Sequence, residues 1–123
     1  MSAYTGTPTL AYKQQSILTA TPGQLVVMLY DGCLRFLNQA AYAMRESNRN
    51  LATIKLRRAE AIITELLITL DHDKGGEIAD RLQGIYTFSR QQLRKAEVDQ
   101  DAEVVDQVAG YMSELRDAWA QMA

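Results

Sequence analysis

The chain has 123 residues, with 13 Lys plus Arg against 15 Asp plus Glu and a formal net charge of −2. This balance does not indicate a nucleic-acid partner, because phosphate binding requires a clustered basic excess. The single cysteine, Cys33, excludes an internal disulfide framework and a cysteine-based zinc site, while 47% hydrophobic residues suffice for one core.

The first 20 residues differ in composition from the rest of the chain. They contain one charged side chain, Lys13, and are rich in Thr, Ser, Ala and Gly. No segment has the basic flank and long apolar run of a signal peptide, and no run is long enough to span a membrane. We therefore predict an N-terminal arm over 1–20, a single domain over 21–123, and no membrane insertion.

The first predicted helix starts at a strong capping signal. Thr21 can cap the helix, Pro22 occupies the first helical position, and Gln24 can complete a capping box. Apolar residues then recur at helical spacing until the polar stretch near Ser47. On the polar side of this helix, the spacing of Asp31 and Arg35 predicts an ion pair.

Three further helices follow in the same way. The second is predicted from about Leu51 to the segment 71–76, where glycines are expected to stop it. The third is predicted to begin at Glu77, and Asp99 or Asp101 can cap the fourth. Helices of about 20 residues with short links predict an all-α fold, an antiparallel up-down four-helix bundle with an N-terminal arm.

Residues typical of catalysis or metal binding are scarce in this sequence. A di-metal helical bundle needs two Glu-x-x-His motifs, but the only histidine is His72, in a predicted turn. The pair Gly75-Gly76 lacks the spacing and the preceding strand of a phosphate-binding loop. Cys33 is expected to be a small core residue. We predict no catalytic residue, no metal, no cofactor and no enzymatic activity.

The helices carry more apolar surface than a four-helix core requires. Residues 25–30 are consecutively apolar, and shorter apolar runs occur at 66–68 and 111–112. Core packing is the simpler explanation for any single residue, but the surplus predicts a groove that binds a partner helix. The residues predicted to line or shape this groove are Leu25, Met28, Leu29, Gly32, Leu66, Leu70, Gly75, Gly76, Ile78, Leu82, Ile85 and Tyr86.

Several segments resemble the FliS family of flagellin export chaperones. Residues 19–25 and 28–32 are similar to the family's entry into its first long helix and the Met-Leu-Tyr-Asp-Gly motif within it. Residues 70–79 and 116–119 match two later motifs, and residues 11–12 give a weaker match in the arm. The order and intervals of these motifs agree over nearly the whole chain.

The resemblance implies a function for the groove and for the arm. Proteins of this family bind the disordered C-terminal segment of flagellin in the bacterial cytoplasm, prevent its premature polymerisation and deliver it to the flagellar type III export gate. It also implies that the arm covers the empty groove and docks at the gate, a role we assign to Tyr12, Ile17 and Leu18. The alternative is a homodimeric helical adaptor or structural bundle unrelated to flagella.

Overall fold

The computed structural model describes residues 19–123, which form four α-helices. These are α1 (Pro22–Arg45), α2 (Arg49–Ile68), α3 (His72–Asp99) and α4 (Ala102–Met122). Each helix packs against the next, and α4 packs against α1. The predicted all-α bundle is confirmed. The division into an arm and a bundle at residue 20 stays a prediction, and its residues Tyr12, Ile17 and Leu18 lie outside the described residues.

Side-chain caps determine where each helix begins. Thr21 and Gln24 form the predicted capping box: the Thr21 hydroxyl accepts from Gln24 N at 3.2 Å, and Gln24 Oε1 accepts from Thr21 N at 2.9 Å. Asn48, Asp71 and Asp101 accept backbone N–H bonds in the first turns of α2, α3 and α4. Asp101 is therefore the residue that caps α4, and each cap contributes about 1 kcal/mol.

The junction between α2 and α3 differs from the prediction. Helix α2 ends at Ile68, and α3 begins at His72 rather than at Glu77. The expected helix stop is instead a bend inside α3, where Gly76 adopts φ 51° and ψ −122°. The reason is that Asp71 caps one extra helical turn before the glycine. This turn, residues 72–75, forms the end of the bundle next to the groove described below.

The core lies between the four helices and receives apolar side chains from all of them. Leu37 of α1, Leu56 and Ile63 of α2, Leu93 of α3 and Met112 of α4 are fully buried. Burying a side chain of this size contributes about 1.5–3 kcal/mol relative to leaving it in water. The inner face of each helix thus packs against the other helices, and the other faces remain available for contacts with partners.

Ion pairs join α1 to α4 at two points along the bundle. Arg45 donates to the Asp106 carboxylate at 2.7 Å, and Arg116 donates to Asp31 at 2.8 Å. The predicted pair between Asp31 and Arg35 is wrong, because Asp31 bonds to Arg116 across the helix interface. These side chains are largely exposed to solvent, so each pair contributes little to stability. Together they favour the antiparallel register of the two helices.

Candidate functional site

Large apolar side chains remain on the surface of the bundle. Ile68, Ile78 and Val98 are 71%, 70% and 75% exposed, and Phe88 is 46% exposed. Isolated apolar residues are common on protein surfaces, so exposure alone does not identify a binding site. The informative feature is where such residues gather around a concave surface.

A cavity of about 320 Å³ opens at the end of the bundle where α2 joins α3. We call it the α2–α3 groove. It is lined by Val26 of α1, Leu66, Thr69 and Leu70 at the end of α2, Asp71, Lys74, Gly75, Ile78, Ala79, Leu82 and Tyr86 of the junction and α3, and Trp119 of α4. Its volume is at the lower end of the range of about 300–1,000 Å³ typical of ligand sites. It therefore suits one or two apolar anchor side chains.

Two glycines shape the rim of the α2–α3 groove for different reasons. A Cβ atom on Gly75 would lie 2.9 Å from the Cβ of Ala79, so a side chain there would force the turn away from the helix. Gly76 has open space around it, but its positive φ strains any residue with a Cβ. The short first turn of α3 therefore depends on glycine at both positions.

A hydrogen bond between two aromatic side chains lies at the base of the groove. The hydroxyls of Tyr30 on α1 and Tyr86 on α3 are buried and hydrogen-bond each other. Trp119 of α4 lines the same groove. Burial raises the pKa of both tyrosines, so both hydroxyls stay neutral at physiological pH. This hydrogen bond links α1 to α3 at the base of the groove.

Half of the predicted groove residues line this cavity. They are Leu66, Leu70, Gly75, Ile78, Leu82 and Tyr86. Gly76 follows directly after Gly75 and forms the bend of α3. Leu66, Leu82 and Tyr86 are also buried core residues, so the same side chains serve the bundle and the groove.

The other predicted residues lie elsewhere in the bundle. Leu25 is 39% exposed on α1, and Leu29 packs partly buried against the core. Met28 lines a shallow hollow with residues 19–20 at the start of α1. Gly32 lies at the α1–α2 contact, where an added Cβ would be 3.3 Å from the nearest atom of α2. Ile85 faces a different groove, between α3 and α4. None of these five lines the α2–α3 groove.

The groove between α3 and α4 was not predicted from the sequence. It encloses about 590 Å³, and we call it the α3–α4 groove. It is lined by Arg81, Gly84, Ile85, Phe88, Tyr111, Glu114 and Leu115. The rings of Phe88 and Tyr111 lie 6.3 Å apart between centroids. Helical spacing places Tyr111 on an inner face of α4, but it is 37% exposed and contributes to this apolar surface.

Two of the groove residues that sequence reasoning missed are Val26 and Trp119. A signal for Trp119 exists in the sequence, because Val105, Met112 and Trp119 recur every seven residues on one stripe of α4. Val105 and Met112 are fully buried, whereas Trp119 is only partly buried at the open end of the bundle. Trp119, the last residue of this stripe, is thus the one that a ligand can contact.

The residues considered for catalysis or metal binding lie in environments typical of residues with a structural role. Cys33 is fully buried with its Sγ 3.8 Å from the Ala59 carbonyl oxygen, and burial raises the pKa of Cys33 to about 12. His72 is exposed in the first turn of α3, with its Nδ1 3.1 Å from a carboxylate oxygen of Asp80. Within residues 19–123, no group of three or more His, Cys, Asp or Glu side chains is placed to hold a metal ion.

The structure is a helical bundle with apolar grooves on its surface, and comparison with known proteins identifies its family. A family described as "Flagellar protein FliS" matches residues 6–123. A flagellar secretion chaperone FliS of Bacillus subtilis is 37% identical, over 93% of this chain and 84% of that protein. Those of Campylobacter jejuni and Salmonella typhimurium are 35% and 33% identical, over 91% and 98% of this chain and 88% and 93% of theirs.

A solved structure shares the fold. The crystal structure of a flagellar chaperone from bacteria superimposes with a TM-score of 0.77 at 19% identity, covering 94% of this chain and 97% of that one. The chain belongs to the FliS family of flagellar secretion chaperones. None of the helices within residues 19–123 is long and apolar enough to cross a membrane.

Proposed function

We propose that this protein is a non-enzymatic export chaperone that binds the C-terminal segment of flagellin in the bacterial cytoplasm. It prevents premature polymerisation of flagellin and delivers it to the flagellar type III export gate. Membership of the FliS family and the apolar α2–α3 groove at the open end of the bundle support this proposal. The α2–α3 groove is the observation on which the proposal mainly rests.

The size of the groove indicates how a flagellin segment binds. Coupled folding and binding typically buries about 1,000–3,000 Å², with an ordering cost of about 2–5 kcal/mol or more. A cavity of about 320 Å³ accepts only one or two side chains of such a segment. The remaining contacts require further apolar surface, and the α3–α4 groove, which shares helix α3, can supply it. In this proposal the bound segment lies along α3.

The same proposal gives the N-terminal arm two functions. Tyr12, Ile17 and Leu18 cover the groove when no flagellin is bound, and they dock the loaded chaperone at the export gate. The described chain starts beside the first turn of α1, where residues 19–20 line a hollow with Val27. An arm that continues from this point is within reach of Val26 at the edge of the groove.

Calorimetry with a flagellin C-terminal peptide tests the proposal. Ile78→Ser removes an apolar side chain that lines the groove and is 70% exposed, so the fold tolerates the change. Val98→Ser is a matched control, because Val98 is 75% exposed on the same helix and lines neither groove. We expect Ile78→Ser to weaken binding about tenfold, since burying such a side chain contributes about 1.5–3 kcal/mol. Val98→Ser should bind like the unmodified protein.

Two results would overturn this proposal. One is the absence of binding heat at several temperatures with a peptide that binds another chaperone of the family. The other is an equal loss of affinity in both serine variants. Concentration-dependent dimerisation without peptide binding would favour the alternative of a homodimeric structural bundle.

A further inference from the structure

Three cationic side chains surround one aromatic ring on the α1–α2 side of the bundle. Arg35 of α1 and Lys55 of α2 each lie 5.7 Å from the centroid of the Phe36 ring, and Arg58 of α2 lies 5.8 Å from it. Phe36 is partly buried against the core, so the ring is held in place. Cations within about 6 Å of a ring face are attracted by its quadrupole, which offsets part of their mutual repulsion.

No described carboxylate neutralises this cluster. Within residues 19–123, Arg35, Lys55 and Arg58 form no ion pair, whereas Arg45, Arg57, Arg81 and Arg116 all do. The acid one turn before Arg35 is Asp31, and it bonds to Arg116 instead. A chain with a net charge of −2 therefore concentrates positive charge at one point of its surface.

A shallow groove continues from the cationic cluster along the same two helices. It encloses about 450 Å³ and is lined by Asn38, Gln39, Tyr42, Leu51 and Lys55. Tyr42 is 66% exposed and Leu51 is 38% exposed, and both leave apolar surface open to a partner. Because Lys55 belongs to both features, the cluster and the groove form one continuous surface, which we call the α1–α2 surface.

We propose that the α1–α2 surface binds an acidic segment of a partner protein that carries an apolar anchor residue. Carboxylates of the segment bond to Arg35, Lys55 and Arg58, since guanidinium groups bind carboxylates in a bidentate manner. The anchor packs between Tyr42 and Leu51. The side-chain amides of residues 38–39 bond to the peptide backbone.

Charge and composition favour a peptide over a nucleic acid. Nucleic-acid sites use many cations along an extended backbone, whereas this surface has three cations at one end of a groove whose other lining residues are uncharged. The α1–α2 surface shares no residue with the α2–α3 groove, so both sites can be occupied together. An acidic partner would thus bind the chaperone without displacing its cargo.

Fluorescence anisotropy with defined probes tests the proposal on the full chain. The main probe is a labelled peptide of Asp and Glu with one central Phe, compared with the same peptide carrying Ser in place of Phe. A lysine-for-acid peptide, single-stranded DNA and phosphatidylglycerol vesicles test the other classes of partner. We expect the acidic Phe peptide to bind best and to weaken as salt increases.

Matched variants separate the site from overall charge. The variant Lys55→Gln with Arg58→Gln should weaken binding about fivefold to tenfold, since two exposed ionic contacts are lost. The control, Arg94→Gln with Lys95→Gln, removes the same charge from α3 and should bind like the unmodified protein. Tyr42→Ser should abolish the advantage of the Phe probe over the Ser probe.

Three outcomes would overturn the proposal. They are no saturable binding of the acidic peptide, equal losses in the two double variants, and tighter binding of DNA or vesicles than of the peptide. Circular dichroism of each variant confirms that it remains folded, so a loss of binding reports on the surface itself.

Discussion

The buried hydroxyl pair of Tyr30 and Tyr86 allows a quantitative test of the structure. Each of the two hydroxyls is the hydrogen-bond partner of the other. Tyr86→Phe leaves the buried Tyr30 hydroxyl without this partner, and Tyr30→Phe does the same to the Tyr86 hydroxyl. The double substitution removes both hydroxyls and leaves neither unsatisfied.

The expected costs follow from the number of groups left unsatisfied. A buried polar group without a partner costs about 1–3 kcal/mol. We expect each single substitution to lower the free energy of unfolding by about 1–3 kcal/mol. The double variant should cost no more than either single variant, because the second substitution removes the hydroxyl that the first leaves unsatisfied. The coupling energy of the cycle is then about 1 kcal/mol or more.

Urea unfolding followed by far-ultraviolet circular dichroism measures these differences. All four proteins of the cycle are compared, with Tyr42→Phe as a control because Tyr42 is 66% exposed. The control should change stability by no more than about 0.5 kcal/mol. Costs of Tyr30→Phe and Tyr86→Phe that add without coupling in the double variant would refute the proposed hydrogen bond.

The same pair predicts a loss of stability in alkali. The pKa values of both tyrosines are raised above their ordinary value of 10.0, chiefly by burial. The folded protein therefore keeps protons that the unfolded chain releases, and stability present below pH 10 is lost as the pH rises further. Replacing both tyrosines by Phe should make the free energy of unfolding fall less steeply as the pH rises above 10.

Two further predictions concern the backbone and a buried charge. Gly76→Ala should destabilise the protein by about 1–2 kcal/mol in urea unfolding, because its φ of 51° places a Cβ under strain. Gly110→Ala, at a helical position with open space, should instead stabilise it by about 0.5–1 kcal/mol. Glu60 is buried with Oε2 lacking a hydrogen-bond partner, and burial raises its pKa, although Arg57 opposes the shift. Since the folded state holds this proton more tightly, Glu60 lowers stability as the pH rises above 4.5. Glu60→Gln should therefore raise the melting temperature at neutral pH, and the gain should vanish as the pH falls toward 4.5.

Further results would test the predictions for Gly76→Ala and Glu60→Gln. A stabilised Gly76→Ala variant would contradict the bend in α3. Glu97→Gln breaks the 3.1 Å ion pair with Arg57 and should lower stability by about 1 kcal/mol at most. If Glu60→Gln were as destabilising as Glu97→Gln at neutral pH, the inferred cost of burying Glu60 would be wrong.

Local signals in the sequence were sufficient for the helices. The capping box of Thr21 and Gln24, the cap at Asp101 and the helical spacing of apolar residues all depend on neighbours within one or two turns. The start of α3 was misplaced because glycine near a helix end is compatible with both a stop and a bend. The Asp71 cap and the close approach of Gly75 to Ala79 favour the bend.

The site was harder to predict because it depends on contacts between distant residues. Leu29 and Leu66 have the same side chain and both lie inside helices at helical spacing, yet only Leu66 lines the α2–α3 groove. The difference depends on how the helices are placed relative to one another, which helical periodicity does not determine. The partners of Asp31 show the same limit, since an ion pair within one helix was replaced by a pair between helices.

The position of Trp119 has a practical consequence for spectroscopy. It is the only tryptophan in the chain, and it lines the α2–α3 groove. Its emission wavelength responds to local polarity, so a ligand that excludes water from the groove should shift the emission to the blue without any attached dye. Occupation of the α1–α2 surface, which does not include Trp119, should leave that emission unchanged.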